Sequence, residues 1–160
     1  MGVSMGVRGR ERSKEEKAKG WRILVVDDEE GVRKTLVDIL YLFGYEADAV
    51  ASGEEALAVF DEARHALLIA DHCMPGMRGA ELIRILHRRC PSLPIIAMTG
   101  IGTEGELLAA GAHECFIKPL DIGRFKEAVE RDMQGKMANP NRGGEETGRG
   151  AFPGSSGTRG

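Results

Sequence analysis

The residues of this chain that could do chemistry together are three acids, one hydroxyl and one amine, each directly after a short apolar run. The acids are Asp27, Asp28 and Asp71, the hydroxyl belongs to Thr99, and the amine belongs to Lys118. If the apolar runs are parallel strands, their carboxyl ends meet at one edge of a sheet, where open sheets bind ligands. Three acids gathered there repel one another unless a cation intervenes, and hard oxygen ligands with room for water suit Mg²⁺.

A second explanation exists for each acid, because an aspartate after a strand can cap the helix that follows. For Asp28 taken alone, capping explains the residue equally well. Capping does not explain why a threonine and a lysine also follow apolar runs. The sequence therefore predicts one pocket that contains all five side chains.

The elements that must position these residues are predicted from the apolar pattern. Residues 23–26 form a β-branched run closed by acids, and apolar residues from Val32 to Phe43 share one helix face that ends at Gly44. Ser52 with Glu55 is a capping-box pattern that opens the next helix. Further strands are predicted over 46–50, 66–70, 94–98 and 115–117, and further helices around Leu82, Ile85 and Leu86 and over 104–110 and 121–132.

Five strand and helix alternations predict an α/β fold. Parallel strands need crossover helices, so we expect a doubly wound five-stranded parallel sheet with helices on both faces. Residues 1–20 and 133–160 are polar or Gly-rich and lack periodicity, and we expect both to be disordered tails around one domain over 21–132.

Charge and composition limit the classes of partner that this domain could bind. Residues 1–20 hold six basic and three acidic side chains and residues 133–160 hold four and two, so with −3 for the whole chain the residues between them carry −8. This charge argues against a domain that binds nucleic acid or a membrane surface. No apolar run approaches a membrane span, and three widely spaced cysteines fit a reduced cytoplasm.

Four segments together resemble the response-regulator receiver domain. They are residues 24–28 (LVVDD), 71–79 (DHCMPGMRG), 98–100 (MTG) and 118–119 (KP), and the resemblance spans about residues 21–132. The family fold is the flavodoxin-like receiver fold. The resemblance implies a phosphorylation switch rather than an enzyme, in which Asp71 is the phosphoacceptor, Asp28 is a direct Mg²⁺ ligand and Asp27 acts largely through bound water. The backbone carbonyl of Cys73 would complete the protein's share of the metal shell.

The resemblance also assigns the remaining polar residues. Thr99 would bind a phosphoryl oxygen after phosphorylation, and Lys118 would pair first with the acceptor and then with the phosphate. A cis peptide bond before Pro119 is expected to aim the lysine. A carboxylate can attack a phosphoryl group when a metal ion and an ammonium neutralise the transferring oxygens, which agrees with these roles.

A histidine kinase or phosphotransfer protein would donate the phosphoryl group, and a separate protein would read the phosphorylated state. The polar tail after the domain suggests no output domain, which predicts a stand-alone receiver. One alternative is a haloacid-dehalogenase-like phosphatase, which would need a second acid two residues after the nucleophile, where Cys73 stands. Another is a degenerate receiver used only for binding, disfavoured because no site position is lost.

Two stretches depart from the family pattern. Cys115 stands where an aromatic residue usually precedes the lysine by three, and Phe116 should face the opposite side of its strand. The interval from Thr99 to Lys118 is about three residues shorter than the family suggests, and glycines loosen the start of the fourth helix. We therefore expect phosphorylation to order a mobile segment over 100–110.

Other candidate sites receive simpler interpretations. The pairs His72–Cys73 and His113–Cys115 lack a second matching cluster, so a zinc site is not predicted. The basic residues of the third helix are interpreted as a solvated face, with partner docking as the alternative; they are Arg84, His87, Arg88 and Arg89.

Overall fold

A computed structural model of the protein describes residues 20–100 and 102–138, which form strands and helices in strict alternation. The strands are β1 (Arg22–Val26), β2 (Ala47–Val50), β3 (His65–Asp71), β4 (Ile95–Thr99) and β5 (Glu114–Ile117). The helices are α1 (Glu30–Leu42), α2 (Gly53–Val59), α3 (Gly79–Arg89), α4 (Glu104–Ala110) and α5 (Ile122–Ala138). Every predicted strand and helix is present.

The strands form one parallel sheet in the order β2-β1-β3-β4-β5. Every residue of β3 and β4 is buried, because helices cover both faces, and this explains their continuous apolar sequences. The predicted doubly wound sheet is therefore confirmed. The chain order reverses between β1 and β3, which opens a crevice at the carboxyl ends of these two strands.

Alternate side chains of each strand enter two separate cores. Ile23 of β1 packs in the core under α1 and α5, whereas its neighbour Leu24 packs in the core under α2, α3 and α4. In β5, Phe116 enters the first core and Cys115 packs against the second. The prediction that Phe116 turns away from the Cys115 face is confirmed.

Local signals set the helix ends as the sequence predicts. The Ser52 hydroxyl accepts a hydrogen bond from the Glu55 amide at 3.1 Å, which closes the predicted capping box of α2 at its N-cap. The Glu55 carboxylate accepts from the amide of Ala51, the residue before the N-cap, at 2.9 Å. After α1, Gly44 adopts φ 103°, a conformation that costs glycine little. The chain can then turn so that the Tyr45 amide donates to the Leu40 carbonyl at 2.9 Å.

The predicted end of the last helix at residue 132 is wrong, because α5 continues to Ala138. Met133 is fully buried in the core under α1 and α5, and Lys136 Nζ lies 5.1 Å from the Trp21 ring centroid. The first six residues of the predicted tail over 133–160 are thus helical. The predictions of disorder for 1–19 and 139–160 concern residues outside the described ranges.

Within the described ranges, no helix is both long enough and apolar enough to cross a bilayer.

Candidate functional site

Asp71 is the last residue of β3 and lies at the crevice formed by the sheet. Its side chain is almost completely buried. The chain then turns sharply, because the Gly79 amide donates to the His72 carbonyl at 3.0 Å. A Cβ on Gly79 would lie 2.4 Å from the Asp71 carbonyl oxygen and 2.6 Å from His72 Cα, so a glycine is required for α3 to begin this close to Asp71.

Asp27 and Asp28 lie beside Asp71 because β1 and β3 are neighbouring parallel strands. One carboxylate oxygen from each of the three acids lies within 4.8 Å of the other two. Asp27 and Asp71 are buried and Asp28 is exposed. The N-cap residue of α1 is Glu29 and its side chain makes no capping hydrogen bond, so helix capping does not account for Asp28.

The Asp27 carboxylate has one oxygen that is satisfied and one that is not. Asp27 Oδ1 accepts a hydrogen bond from the Glu29 amide at 2.9 Å, whereas the buried Oδ2 has no donor among the described residues. Burial raises the pKa of Asp27, and the neighbouring charges of Asp71 and Asp28 act in the same direction. An unpartnered buried oxygen within an acid cluster is the environment that a bound divalent cation would satisfy, so these residues fit Mg²⁺.

Lys118 supplies the positive charge of the site. Its Nζ lies 2.7 Å from Asp71 Oδ1 and 3.8 Å from Asp27 Oδ2. Burial opposes the ammonium charge, but the hydrogen bond and charge of Asp71, together with Asp27 and Glu29, outweigh it and raise the pKa of Lys118. The Lys118–Pro119 peptide bond is cis, as the resemblance implied, and the Lys118 amide donates to the Thr99 carbonyl at 2.8 Å.

Thr99 ends β4, and its hydroxyl is buried at the same edge of the sheet. The Thr99 hydroxyl is paired with that of Thr103, with 2.5 Å between the two Oγ1 atoms. Thr103 is the N-cap residue of α4, but its side chain makes no capping bond there. Thr103 was not predicted as a site residue, although Thr103-Glu104-Gly105-Glu106 is a capping-box pattern that marks it as a helix N-cap.

His72, directly after Asp71, is completely buried. The Ala80 amide donates to its Nδ1 at 3.3 Å, which leaves the ring proton on Nε2. Nε2 has no hydrogen-bond partner among the described residues, and Glu106 Oε1 on α4 lies 3.7 Å away. His72 is therefore oriented by α3 and faces α4.

Cys73 is exposed at the rim of the site. Within the described residues its backbone carbonyl accepts no hydrogen bond and is available as a ligand. The acid cluster is the only group of three or more potential His, Cys, Asp or Glu ligands in residues 20–100 and 102–138. The two His–Cys pairs of the sequence accordingly form no such cluster there.

The basic residues of α3 are exposed, as expected for a solvated face. Arg89 also packs its guanidinium 5.6 Å from the Phe60 ring centroid, which attaches it to the end of α2.

This arrangement can support nucleophilic attack by a carboxylate on an anionic group. Asp71 is held in a buried position, Lys118 neutralises charge beside it, and the acids provide oxygen ligands for a cation. Thr99 offers a hydroxyl donor once it leaves Thr103. These groups come from the ends of four strands, β1, β3, β4 and β5, so the fold itself assembles the site.

Comparison with known proteins points to one family. The family model described as "Response regulator receiver domain" matches residues 23–130. Response regulator protein FleR of Pseudomonas aeruginosa is 34% identical over 119 residues, and chemotaxis protein CheY of Thermotoga maritima is 32% identical over 116 residues. The matches cover 72% and 70% of this chain, but 25% of FleR and 97% of CheY.

Solved structures agree with the sequence matches. The crystal structure of response regulator protein TrrA from Thermotoga maritima, in complex with Mg²⁺ and BeF, has a TM-score of 0.65 at 34% identity and covers 70% of this chain and 98% of that one. A response regulator receiver domain protein from Clostridium thermocellum has a TM-score of 0.68 at 26% identity, covering 72% of this chain and 96% of that one. The fold and the sequence thus indicate the same family.

Proposed function

This chain belongs to the response regulator receiver domain family, and we propose that it is a phosphorylation switch in which Asp71 accepts the phosphoryl group. The observation that supports this most is the pairing of a buried Asp71 with Lys118 at 2.7 Å inside a cluster of three acids. One ammonium balances only one of the three carboxylates, so the cluster keeps an excess of negative charge that a structural ion pair does not need. A site that binds a cation and a phosphoryl group needs acids to hold the cation and an ammonium to neutralise the phosphoryl oxygens.

The proposed reaction is transfer from a phosphohistidine of the donor. One Asp71 carboxylate oxygen attacks phosphorus, the new P–O bond forms as the P–N bond breaks, and the departing imidazole nitrogen takes up a proton from solvent. Lys118 stays beside the reacting carboxylate and neutralises charge on the transferring oxygens. The product is an acyl phosphate that adds about −1.5 to −2 charge to the site.

Asp27, Asp28, Asp71 and the Cys73 carbonyl would hold Mg²⁺. When bound, the ion would neutralise phosphoryl oxygens and reduce repulsion among the acids. The unpartnered Asp27 Oδ2 and the unused Cys73 carbonyl support this assignment.

Thr99 is the proposed sensor of the acyl phosphate. Its hydroxyl would leave Thr103 and donate to a phosphoryl oxygen, which changes the position of the loop before α4. Phosphorylation then acts as a ligand for one conformation and changes populations by its differential contacts.

A histidine kinase or phosphotransfer protein is the proposed donor, and a protein that recognises the phosphorylated form is the proposed reader. We place these encounters in the cytoplasm, which agrees with three free cysteines. Relatives of this length and much longer ones both occur, as CheY and FleR illustrate, so action as a stand-alone receiver stays a prediction. Affinity capture with and without beryllofluoride, which mimics the acyl phosphate, would identify the reader.

Acetyl phosphate with Mg²⁺ tests the proposal. We expect intact mass spectrometry to show one added phosphoryl group that is stable in acid and lost in base. Asp71→Asn should remove the labelling, and so should chelation of Mg²⁺. Unchanged labelling of Asp71→Asn would overturn the assignment.

The matches give no support to the haloacid-dehalogenase-like phosphatase alternative. Cys73 occupies the position where that class needs its second acid, and a thiol cannot replace a general acid of that strength. We propose that the chain catalyses at most its own phosphorylation and dephosphorylation.

A further inference from the structure

Among the described residues, two helices begin with a capping-box pattern. The box of α2 is closed by a helix amide that donates to the N-cap hydroxyl, and the box of α4 is open. In α2 the Ser52 hydroxyl accepts from the Glu55 amide, and the Glu55 carboxylate accepts from the Ala51 amide, one residue before the N-cap. Thr103 and Glu106 of α4 have the same spacing, but the Thr103 hydroxyl makes no bond to its helix. The two helices have the same length, seven residues each, so α2 is an internal standard for α4.

Both members of the open box instead lie close to residues at or next to the proposed phosphorylation site. The Thr103 hydroxyl pairs with that of Thr99 at 2.5 Å, and Glu106 Oε1 lies 3.7 Å from His72 Nε2. Thr99 is the proposed phosphoryl sensor, and His72 directly follows the proposed acceptor. The groups that would cap α4 are therefore directed toward the site that phosphorylation would change.

Backbone geometry also differs between the two boxes. Ser52 has the extended conformation usual for an N-cap residue, with ψ 162°, whereas Thr103 has ψ 11°. In α2 the amide before the N-cap residue donates to Glu55, but in α4 the corresponding amide of Gly102 donates to Glu104 at 3.2 Å. Closing the α4 box requires a backbone rotation at Thr103. Gly102, directly before it, has φ 98°, and a glycine can change its backbone angles at low cost to allow that rotation.

We propose that Thr103 is a positioning residue for Thr99 and that phosphorylation closes the capping box of α4. This inference rests on the proposed function, because it assumes that Thr99 moves to the phosphoryl group. In the unphosphorylated protein Thr103 holds the Thr99 hydroxyl. When Thr99 engages the phosphoryl group, the Thr103 hydroxyl is released, rotates to accept from the Glu106 amide, and stabilises α4.

This exchange would explain how a short helix can report phosphorylation although Cys115 replaces the usual aromatic side chain on its strand. An N-cap hydrogen bond changes the equilibrium of a helix by about fivefold. In a helix of seven residues, one cap is a large part of the stability that local contacts provide. The reader would then recognise α4 by its order.

Hydrogen exchange of α4 tests the inference. Beryllofluoride with Mg²⁺ should slow exchange of the α4 amides about fivefold in the wild-type protein. Thr103→Val should show little of this slowing, although it still binds beryllofluoride, and Thr103→Ser should restore it. Glu106→Ala should also reduce the slowing. Because Glu106 is exposed, this variant replaces Thr103→Val in the test if Thr103→Val folds poorly.

A second arm needs no ligand. Thr99→Ala removes the partner of Thr103, so α4 of the free protein should exchange more slowly than in the wild type. Thr99→Ala combined with Thr103→Val should lose that protection. Because neither measurement involves phosphate or metal, this arm separates failure of the capping exchange from failure of the proposed function.

Ser52→Ala is the matched control, because its box is closed throughout. It should accelerate exchange of α2 equally with and without beryllofluoride and leave the α4 response intact. The inference is overturned if Thr103→Val accelerates α4 exchange in the free protein as Ser52→Ala does in α2, because the α4 box would then already be closed. It is also overturned if the α4 response to beryllofluoride is the same in Thr103→Val as in the wild type. If the wild type binds beryllofluoride no better than Asp71→Asn, the proposed function itself fails.

Discussion

At the scale of single residues, the missing side chain of Gly79 decides how closely α3 approaches the acceptor. An added Cβ would meet backbone atoms of Asp71 and His72, which cannot move without displacing the acceptor. We expect Gly79→Ala to lower the free energy of unfolding by about 1–3 kcal/mol, the usual cost of overpacking, and to weaken beryllofluoride binding. Urea unfolding and calorimetric titration measure the two effects.

Gly31→Ala is the control for this substitution. Gly31 lies in α1, and an added Cβ would meet no atom within 4 Å. Alanine there should leave beryllofluoride binding unchanged and stabilise the protein by about 0.5–1 kcal/mol. Equal behaviour of the two alanine variants would show that the close approach at Gly79 does not matter.

The lifetime of the acyl phosphate depends on residues that orient the attacking water. In the family these positions are two residues after the acceptor and two after the threonine, which are Cys73 and Ile101 here. Cys73 is exposed at the rim of the site, whereas Ile101 lies outside the described residues. Neither side chain can orient water as an amide or carboxylate does, so we predict slow loss of phosphate.

Cys73→Asn combined with Ile101→Glu should accelerate that loss. The decay of the phosphorylated mass after removal of acetyl phosphate gives the rate. A rate equal to that of the wild type would show that water orientation does not limit the reaction.

At the scale of elements, Asp48 joins the edge strand β2 to β1 and β3 at the far end of the sheet from the acid cluster. It accepts hydrogen bonds from Arg22 Nε at 2.9 Å and from the buried His65 Nε2 at 2.8 Å, and Arg64 Nε lies 3.2 Å away. Burial opposes the carboxylate charge, but these partners outweigh it and lower the pKa of Asp48 below its ordinary value of 3.8. The ionised carboxylate of Asp48 therefore stabilises the folded protein.

This shift predicts an acid-sensitive contribution to stability. Because the folded pKa is below 3.8, the contribution is complete above that pH and is lost as pH falls through the folded value. We expect Asp48→Asn to lower the free energy of unfolding by about 1–3 kcal/mol at pH 7, with the difference from wild type shrinking below pH 3.8. Asp38→Asn, at an exposed position of α1, should have little effect at either pH. A wild-type advantage over Asp48→Asn that is the same at pH 3 and pH 7 would contradict the assignment.

The bounds of α4 could be predicted from sequence, but its capping could not. The predicted range 104–110 is the observed one, because two leucines and two alanines follow loop glycines in a helical pattern. From sequence alone, the pattern Thr103–Glu106 predicts a closed box for α4 as well as Ser52–Glu55 does for α2. Only the tertiary position of Thr99, four residues earlier on β4, shows that Thr103 has another partner.

At the scale of the whole molecule, the sequence determines the site more completely than the domain boundary. The end of each strand is marked in the sequence by a change from apolar to polar residues. A parallel sheet brings these carboxyl ends together independently of the conformation of the loops. The end of α5 depends instead on contacts between residues that are distant in sequence: Lys136 lies over Trp21, and Met133 fills the same core. The apolar spacing of Phe125, Val129, Met133 and Met137 does continue past residue 132, but the Gly-rich composition of the last residues outweighs it in the prediction.

Among the three clustered acids, we propose that Asp71 alone carries the phosphoryl group. Borohydride reduces an acyl phosphate to an alcohol, which converts the phosphorylated aspartate to homoserine, and peptide mass spectrometry can then locate the residue. After treatment with acetyl phosphate and Mg²⁺ we expect homoserine at position 71 and aspartate at 27 and 28. Homoserine at position 27 or 28, or at none of the three positions, would contradict Asp71 as the phosphoacceptor.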